Sequence, residues 1–247
     1  MPKETAKWWS DERVKDYQKQ CNIPVSYVHY GPCCPTESKL KLLGNIKNKK
    51  ILEIGCGGAQ NSIYFAKHGA KVTAIDISKD QIEFAKNLAK KNNVKIDFFV
   101  RDIKTLTPIK SSSQDIVFSA FALQYVDNLN KCFKEVNRVL KKRGIFVFAL
   151  DHPFFRTIDS KTLKIKQSYF KIGKHEEDYG KYGKFVIFNH TVSELYNTLI
   201  ESGFEVTKMF EPKQDKKNPD PWRNLWDYTP DMVKNIPPSI IFKAVKK

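Results

Sequence analysis

The stretch Lys50-Ile51-Leu52-Glu53-Ile54-Gly55-Cys56-Gly57-Gly58-Ala59-Gln60 decides how this chain folds. Its first five residues form a short apolar run that stops at a glycine turn, the pattern of a buried strand feeding a loop. Glycines at 55 and 57 let the backbone turn tightly and let a ligand approach the main chain with no Cβ in the way. Beyond the turn, Ile63, Tyr64, Phe65 and Ala66 predict a helix.

The same rhythm continues outward. Lys71 to Ile75 reads as a second strand, and Ser78 with Gln81 three residues later makes a capping box for a helix whose inner face is Ile82, Ala85, Leu88 and Ala89. Strands are expected over about Lys95 to Val100 and Asp115 to Ala120. A helix then carries Leu129, Cys132, Phe133, Val136, Val139 and Leu140 on one face. Gly144 is expected to be its left-handed cap, and Ile145 to Leu150 the fifth strand. Strands alternating with amphipathic helices imply an α/β fold, a mostly parallel sheet covered on both faces.

After the fifth strand the rhythm breaks. Residues 151–190 are aromatic and Lys-rich, and alternation around Lys184 to Phe188 suggests an inserted hairpin. Thr191 and Glu194 form a second capping box, opening a helix with Val192, Leu195 and Leu199 inward and Gly203 at its end. Phe204 to Phe210 and Ser239 to Val245 read as strands separated by a long irregular connection over 211–238, fitting an antiparallel hairpin that closes one sheet edge. The expected organisation is a helical cap over 1–44 and one domain over 45–247, with the insertion at about 151–190.

Composition narrows the class. With 247 residues and 41% hydrophobic content, the chain can bury one full core. The formal charge of +16 raises a nucleic-acid reading, but 37 of the 43 basic residues are Lys and only 6 are Arg, spread in pairs such as Lys49-Lys50 and Lys90-Lys91. Arg makes the forked contacts to phosphate and base edges, so this excess reads as solvated surface and nucleic acid is not favoured as a partner. Five cysteines without a CxxC pair fit reduced thiols, and no metal is expected. No apolar run approaches the roughly 18 residues that cross a bilayer, and Met1 to Ser10 lacks the apolar core of a secretory signal. A soluble, cytoplasmic protein with no membrane partner is therefore expected.

Ligands of open parallel sheets sit beyond the carboxyl ends of the strands, near the point where strand order reverses. That puts the Gly55 turn, Asp76 and Asp102 on one rim. Asp76 ends the second strand, where a carboxylate can accept from both hydroxyls of a ribose, and Asp102 follows the third, where it can accept from an adenine amino group. A nicotinamide or flavin dinucleotide site shares the strand, the turn, the helix and the acidic residue. Two details argue against it. Gln60 stands where the third glycine of GxGxxG belongs, and the acidic Glu53 before the turn is awkward beside a pyrophosphate but suits a ligand carrying a sulfonium and an ammonium. S-adenosylmethionine (SAM) has both.

From about Lys50 to Leu150 the chain resembles the class I SAM-dependent methyltransferases, of the type that includes many small-molecule enzymes, in the pieces ILEIGCGGAQ, VTAIDIS, FVRDI, DIVFSAFALQYV and GIFVFAL. The resemblance implies a doubly wound, seven-stranded, mostly parallel sheet with its last strand antiparallel, a Rossmann-like fold. It also implies that Gly55, Cys56 and Gly57 line the methionine part of SAM, that Asp76 holds the ribose, that Asp102 and Ile103 flank the adenine, and that Ala120 closes the pocket by its backbone. Glu53, Gln60, Ile77 and Gln81 complete the expected cofactor set. The segments HYGPCCPTE, DHPFF and NHTVSELYNTLIESGF resemble uncharacterised microbial members of the same superfamily.

Methyl transfer from a sulfonium is an in-line displacement, so a general base is needed only where the acceptor must lose a proton. His152 and His190 are the candidate catalytic residues, with His29, Tyr30 and Asp151 behind them. His152 follows the fifth strand, and Pro153 with two phenylalanines beside it can wall an apolar pocket. Trp8, Trp9, Tyr17, Tyr27 and Tyr30 can meet a sulfonium through their ring faces; Trp222 and Trp226, with Pro219 and Pro221, can complete an acceptor pocket. A small-molecule acceptor is the favoured reading, from one domain with aromatic-rich segments before and after it. RNA or protein methylation is the alternative, motivated by the charge and weakened by Ser119-Ala120-Phe121-Ala122, which stands where enzymes that methylate planar amino groups carry an NPPY-like tetrapeptide. A SAM-binding module without activity is a third reading, disfavoured by the complete cofactor set. The acceptor atom and the oligomeric state are not legible.

Overall fold

In the computed structural model, which describes residues 3–178, 183–213, 220–222 and 229–247, the apolar run around Leu52 lies near the middle of a seven-stranded sheet. Three short helices lead: α1 (Lys3–Trp8), α2 (Asp11–Cys21) and α3 (Glu37–Leu40). Then come β1 (Lys50–Ile54), α4 (Gln60–Lys67), β2 (Lys71–Asp76), α5 (Lys79–Lys91), β3 (Asp97–Val100), β4 (Gln114–Ala120), α6 (Leu129–Val139) and β5 (Leu140–Asp151). The inserted hairpin pairs β6 (Gly173–Asp178) with β7 (Lys184–Asn189). The chain finishes with α7 (Val192–Glu201), β8 (Phe204–Phe210), α8 (Pro230–Asn235) and β9 (Ser239–Lys246).

The sheet runs β3-β2-β1-β4-β5-β9-β8. Strands β1 to β5 are parallel, and β9 is antiparallel to both of its neighbours, β5 and β8. The last strand of the chain is therefore the reversed one, and it lies one place in from the edge. Order reverses between β1 and β4, so the loops leaving their carboxyl ends diverge and open a crevice.

Strand side chains alternate between faces, and both faces are covered. On one side, Phe146, Phe148 and Leu150 of β5 meet Phe133 and Val136 of α6 and Leu195 and Leu199 of α7. On the other, Val147 and Ala149 share a cluster with Phe65 of α4 and with Val28, Tyr30, Leu42 and Leu43 from the leading segment. Glu37 fixes that segment: its carboxylate accepts from Tyr30 Oη (2.5 Å) and from the amides of Leu42 (3.1 Å) and Leu43 (2.7 Å). Residues 22–36 carry no helix, so the leading segment is helical only in part.

Several local expectations are corrected. Helix α6 stops at Val139 and β5 starts at once, because Leu140 already pairs with Gln114; a bulge between Gln114 and Ile116 absorbs the irregularity. Gly144 lies inside β5 and is no cap, and the left-handed residue is Arg143 (φ 63°). In β7, Phe185, Val186 and Ile187 are all buried, so the strand does not alternate. Trp8 and Tyr125 pack on the hairpin at Phe185, with ring centroids 5.0 and 5.8 Å away. The connection over 211–238 contains α8, whose signal was present in Thr229-Pro230: Thr229 Oγ1 accepts from the Met232 amide (3.3 Å) and Pro takes the first helical turn. Both capping boxes form on their hydroxyl side, Ser78 accepting from Gln81 N and Thr191 from Glu194 N, each at 3.1 Å.

Candidate functional site

The crevice at the sheet's switch point is a cleft with about 730 Å³ of space between atoms, its mouth included. Its floor is the turn Gly55 to Gly58, with Gly55 at φ 66° and Gly57 at φ 50°. Here glycine is required twice over: a Cβ on Gly55 would also stand 2.1 Å from the Ala122 Cβ. Asp76, at the end of β2, locks the turn in place, for its Oδ2 accepts from the Gly57 amide (2.9 Å) and its Oδ1 from the Ser78 amide (2.9 Å). Burial raises its pKa, partly offset by these backbone bonds.

Three glutamines span the cleft. Gln60 Nε2, in the first turn of α4, donates to Gln18 Oε1 of α2 (2.6 Å), and Gln18 Nε2 donates to Gln81 Oε1 of α5 (3.4 Å). Helix α2 is thus held over the glycine turn, and Ser78 Oγ donates to the Trp9 carbonyl (2.6 Å) just before it. Trp9 and Tyr17 meet edge-on at 5.1 Å, and Trp222 Nε1 donates to Tyr17 Oη (2.7 Å), tying a late loop to the leading helix. His29 stands edge-on to Trp222 at 5.0 Å.

His29 faces the cleft through a relay from the strand beneath. Asn61 Oδ1 accepts from the His29 amide (2.9 Å) and Asn61 Nδ2 donates to its carbonyl (3.3 Å). Asn61 in turn reaches Glu53 Oε1 (3.5 Å), whose Oε2 accepts from Ser62 Oγ (2.5 Å). The His29 Nδ1 is buried and has no hydrogen-bond partner among the described residues. Burial pushes this imidazole down to about 3, so it is neutral across the physiological range.

Gly55, Cys56, Gly57, Gln60, Asp76, Ile77, Gln81, Ile103 and Ala120 all line this cleft. Glu53 and Asp102 do not. Glu53 lies under the turn, facing α4, and Asp102 Oδ1 instead accepts from the Lys104 amide (2.9 Å), its side chain partly exposed beside the Lys104 ammonium (3.9 Å). Neither His152 nor His190 is brought to the cleft. His152 Nε2 turns to Glu211 Oε1 (2.9 Å) and its Nδ1 accepts from the Phe154 amide (3.1 Å). His190 packs at the start of α7 with Glu194 3.3 Å away. Asp151 is engaged by the Arg156 guanidinium. Trp226 and Pro219 lie outside the described residues. Gln18 carries no signal in the sequence, whereas Gly31 stands inside the HYGPCCPTE stretch and Phe121 and Tyr125 inside DIVFSAFALQYV, none of the three assigned to the site from sequence. Among the described residues no group of three or more His, Cys, Asp or Glu is placed to hold a metal ion, and no helix is long and apolar enough to cross a membrane.

Burial raises Glu53 to about 7, against an ordinary value near 4.3 in an unfolded chain. A carboxyl whose folded pKa is the higher one binds its proton more tightly when folded, so its favourable share of stability is complete below about pH 4 and is lost as pH rises through 7. Between pH 5 and 8 the wild-type protein should therefore lose roughly 2–3 kcal/mol relative to Glu53→Gln. Urea unfolding at both pH values measures this, and a constant difference between the two proteins would mean that Glu53 ionises freely.

Comparison with known proteins agrees with this geometry. Residues 52–148 match the family described as "Methyltransferase domain". An uncharacterised protein of Haemophilus influenzae is 27% identical over 211 residues, 79% of this chain and 82% of the relative. A ubiquinone biosynthesis O-methyltransferase of Pelagibacter ubique is 39% identical over 104 residues, and the chain spans 42% of that relative's length, by 42% of its own. The crystal structure of a SAM-dependent methyltransferase from Mesorhizobium loti shares the fold, with a TM-score of 0.70 at 23% identity, over 85% of this chain and 96% of that one. With the strand order, the glycine turn and the carboxylate that locks it, residues 52–148 are similar to a methyltransferase domain, and the sheet as a whole has the fold of a SAM-dependent methyltransferase.

Proposed function

We propose that the cleft transfers a methyl group from SAM to a small, largely apolar acceptor seated against Tyr17, His29 and Trp222. When bound, SAM supplies an electrophilic methyl on a sulfonium. Gly55, Cys56 and Gly57 are assigned to its methionine part, Asp76 to the ribose, Ile103 to the adenine, and Ala120 to the wall beside it, with Gln60, Ile77 and Gln81 around them. The residues fit such a group: Asp76 accepts the Gly57 amide at Oδ2 and the Ser78 amide at Oδ1, and the four lone-pair sites of a carboxylate leave it capacity to accept from a ribose hydroxyl. Glu53 contributes from beneath, by holding Asn61 and Ser62.

The observation that carries the acceptor reading is His29. A buried ring nitrogen without a partner costs about 1–3 kcal/mol, and a ligand group that satisfies it recovers that cost. With its pKa near 3 the imidazole is a weak base, so its role is to orient a hydroxyl or similar group by hydrogen bonding while the aromatic wall excludes water. His152 and His190 are left out of this role because neither lines the cleft: the His152 ring bonds Glu211, and His190 lies beside Glu194. The likeness to a ubiquinone biosynthesis O-methyltransferase over part of the chain supports a small-molecule acceptor.

Tritiated methyl transfer from SAM into a cell extract, fractionated into small molecules, RNA and protein, tests the reading. Label should enter the small-molecule fraction, and His29→Ala should lower it at least tenfold, as expected for one lost hydrogen bond of about 1.4 kcal/mol, with SAM affinity unchanged. Label in RNA or protein overturns the acceptor class. Parallel loss of SAM affinity would move His29 to the cofactor.

A further inference from the structure

We propose that residues 163–172 form a docking surface for an anionic phospholipid bilayer, whichever acceptor the cleft methylates. Large apolar side chains are concentrated there on the outside of the molecule: Phe170 is 80% exposed, Ile165 72%, Ile172 58% and Leu163 41%. Lysines interleave with them. Lys161, Lys164, Lys166 and Lys171 are all exposed, Lys174 closes the run in an ion pair with Glu176, and no acidic residue occurs between Ser160 and Lys174.

The segment is built, not merely loose. The Asp159 amide donates to the Lys164 carbonyl (2.9 Å) and the Lys166 amide to the Thr157 carbonyl (2.8 Å), pairing Ile158 with Ile165. Asp159 Oδ1 closes the turn by accepting from Thr162 N and Oγ1, each at 2.8 Å. Farther on, Tyr169 Oη accepts from the Val192 amide (2.8 Å) and Gln167 Nε2 donates to the Arg156 carbonyl (3.1 Å). These bonds use the turn's polar groups to hold its apolar tips outward. The segment leaves the carboxyl end of β5, the rim of the sheet that also carries the cleft.

Charge and apolar character together select the partner. An anionic headgroup layer attracts each lysine near it, and lysine stems lie along apolar surface while their ammonium groups reach phosphate. Leu163, Ile165 and Ile172 gain nothing from a nucleic-acid backbone, whereas the boundary between headgroups and acyl chains buries them along with Phe170. Binding of this kind is peripheral and reversible, and needs no spanning helix.

Sedimentation of the full chain with vesicles tests the proposal. At about 0.1 M salt, where exposed charges are screened over about 10 Å, the protein should sediment with equimolar phosphatidylglycerol and phosphatidylcholine vesicles, and at least tenfold less with pure phosphatidylcholine. Combining Ile165→Ser, Phe170→Ser and Ile172→Ser should reduce binding to the anionic vesicles at least tenfold while SAM affinity, the check on folding, stays the same. If that variant does not fold, combining Lys164→Gln, Lys166→Gln and Lys171→Gln should give a comparable loss and flatten the salt dependence. A protein that stays in the supernatant with both vesicles overturns the proposal. So does a folded serine variant that sediments like wild type, or a wild type that retains polyuridylate and ignores vesicles, which would assign the surface to RNA.

Discussion

Asp76→Ala is expected to weaken SAM binding at least tenfold. In the protein as it stands, this carboxylate serves two ends: it accepts the Gly57 and Ser78 amides, each at 2.9 Å, and it presents its remaining lone pairs to the cleft. Removing it deletes the proposed acceptor for the ribose and also frees the amide that holds the glycine turn. Charge-assisted hydrogen bonds of this kind are worth about 1.5–3 kcal/mol, or roughly ten- to a hundredfold in affinity. Asp76→Asn should lose nearly as much, since an amide cannot accept at both positions. Calorimetric titration with SAM measures both variants, and wild-type affinity in either would take Asp76 out of the cofactor site. Secondary-structure content by circular dichroism should stay at the wild-type level, because the hydrophobic clusters on the two faces of the sheet do not include this residue.

The contrast between Asp76 and Asp102 shows what a sequence carries. Both follow strands of the parallel sheet, and both are placed on the correct rim by strand order alone. Asp76 faces inward because its oxygens find the Ser78 amide two residues on and the Gly57 amide 19 residues back, in the glycine turn that follows the neighbouring strand, an arrangement set by the strand-helix-strand repeat that spacing can express. Asp102 finds the Lys104 amide and ammonium instead, and stays partly exposed outside the cleft. The sheet itself was legible because β1, β2, β4 and β5 are nearly continuous apolar runs. β3 begins two residues later than expected and is only half-buried, so its pattern was weak. The histidines failed for a different reason. His152 sits on the rim by position, but its ring is drawn to Glu211, 59 residues away, whereas His29 is held by Asn61, 32 residues away. Trp222 reaches Tyr17 across 205 residues. Partners that distant leave no period in a sequence, so the acceptor side of the cleft had to be read from the folded chain.

Gly55→Ala is expected to destabilise the protein by about 2–5 kcal/mol. Two costs add: a left-handed residue with a Cβ, about 1–2 kcal/mol, and overpacking, about 1–3 kcal/mol. The first follows from φ 66°, the second from the 2.1 Å approach of the new methyl to the Ala122 Cβ. They can be separated, since Ala122→Gly in the same chain removes the collision and leaves the strained backbone. The double variant should therefore regain about 1–3 kcal/mol over Gly55→Ala in urea unfolding, with Ala122→Gly alone as the third corner of the cycle. SAM affinity should follow the same order, because the collision pushes apart the loops leaving β1 and β4, the two walls that make the crevice. A double variant no more stable than the single one would assign the whole cost to backbone conformation. A Gly55→Ala protein as stable as wild type would mean that these loops do not close on each other, and that the cleft owes its shape to the helices above it.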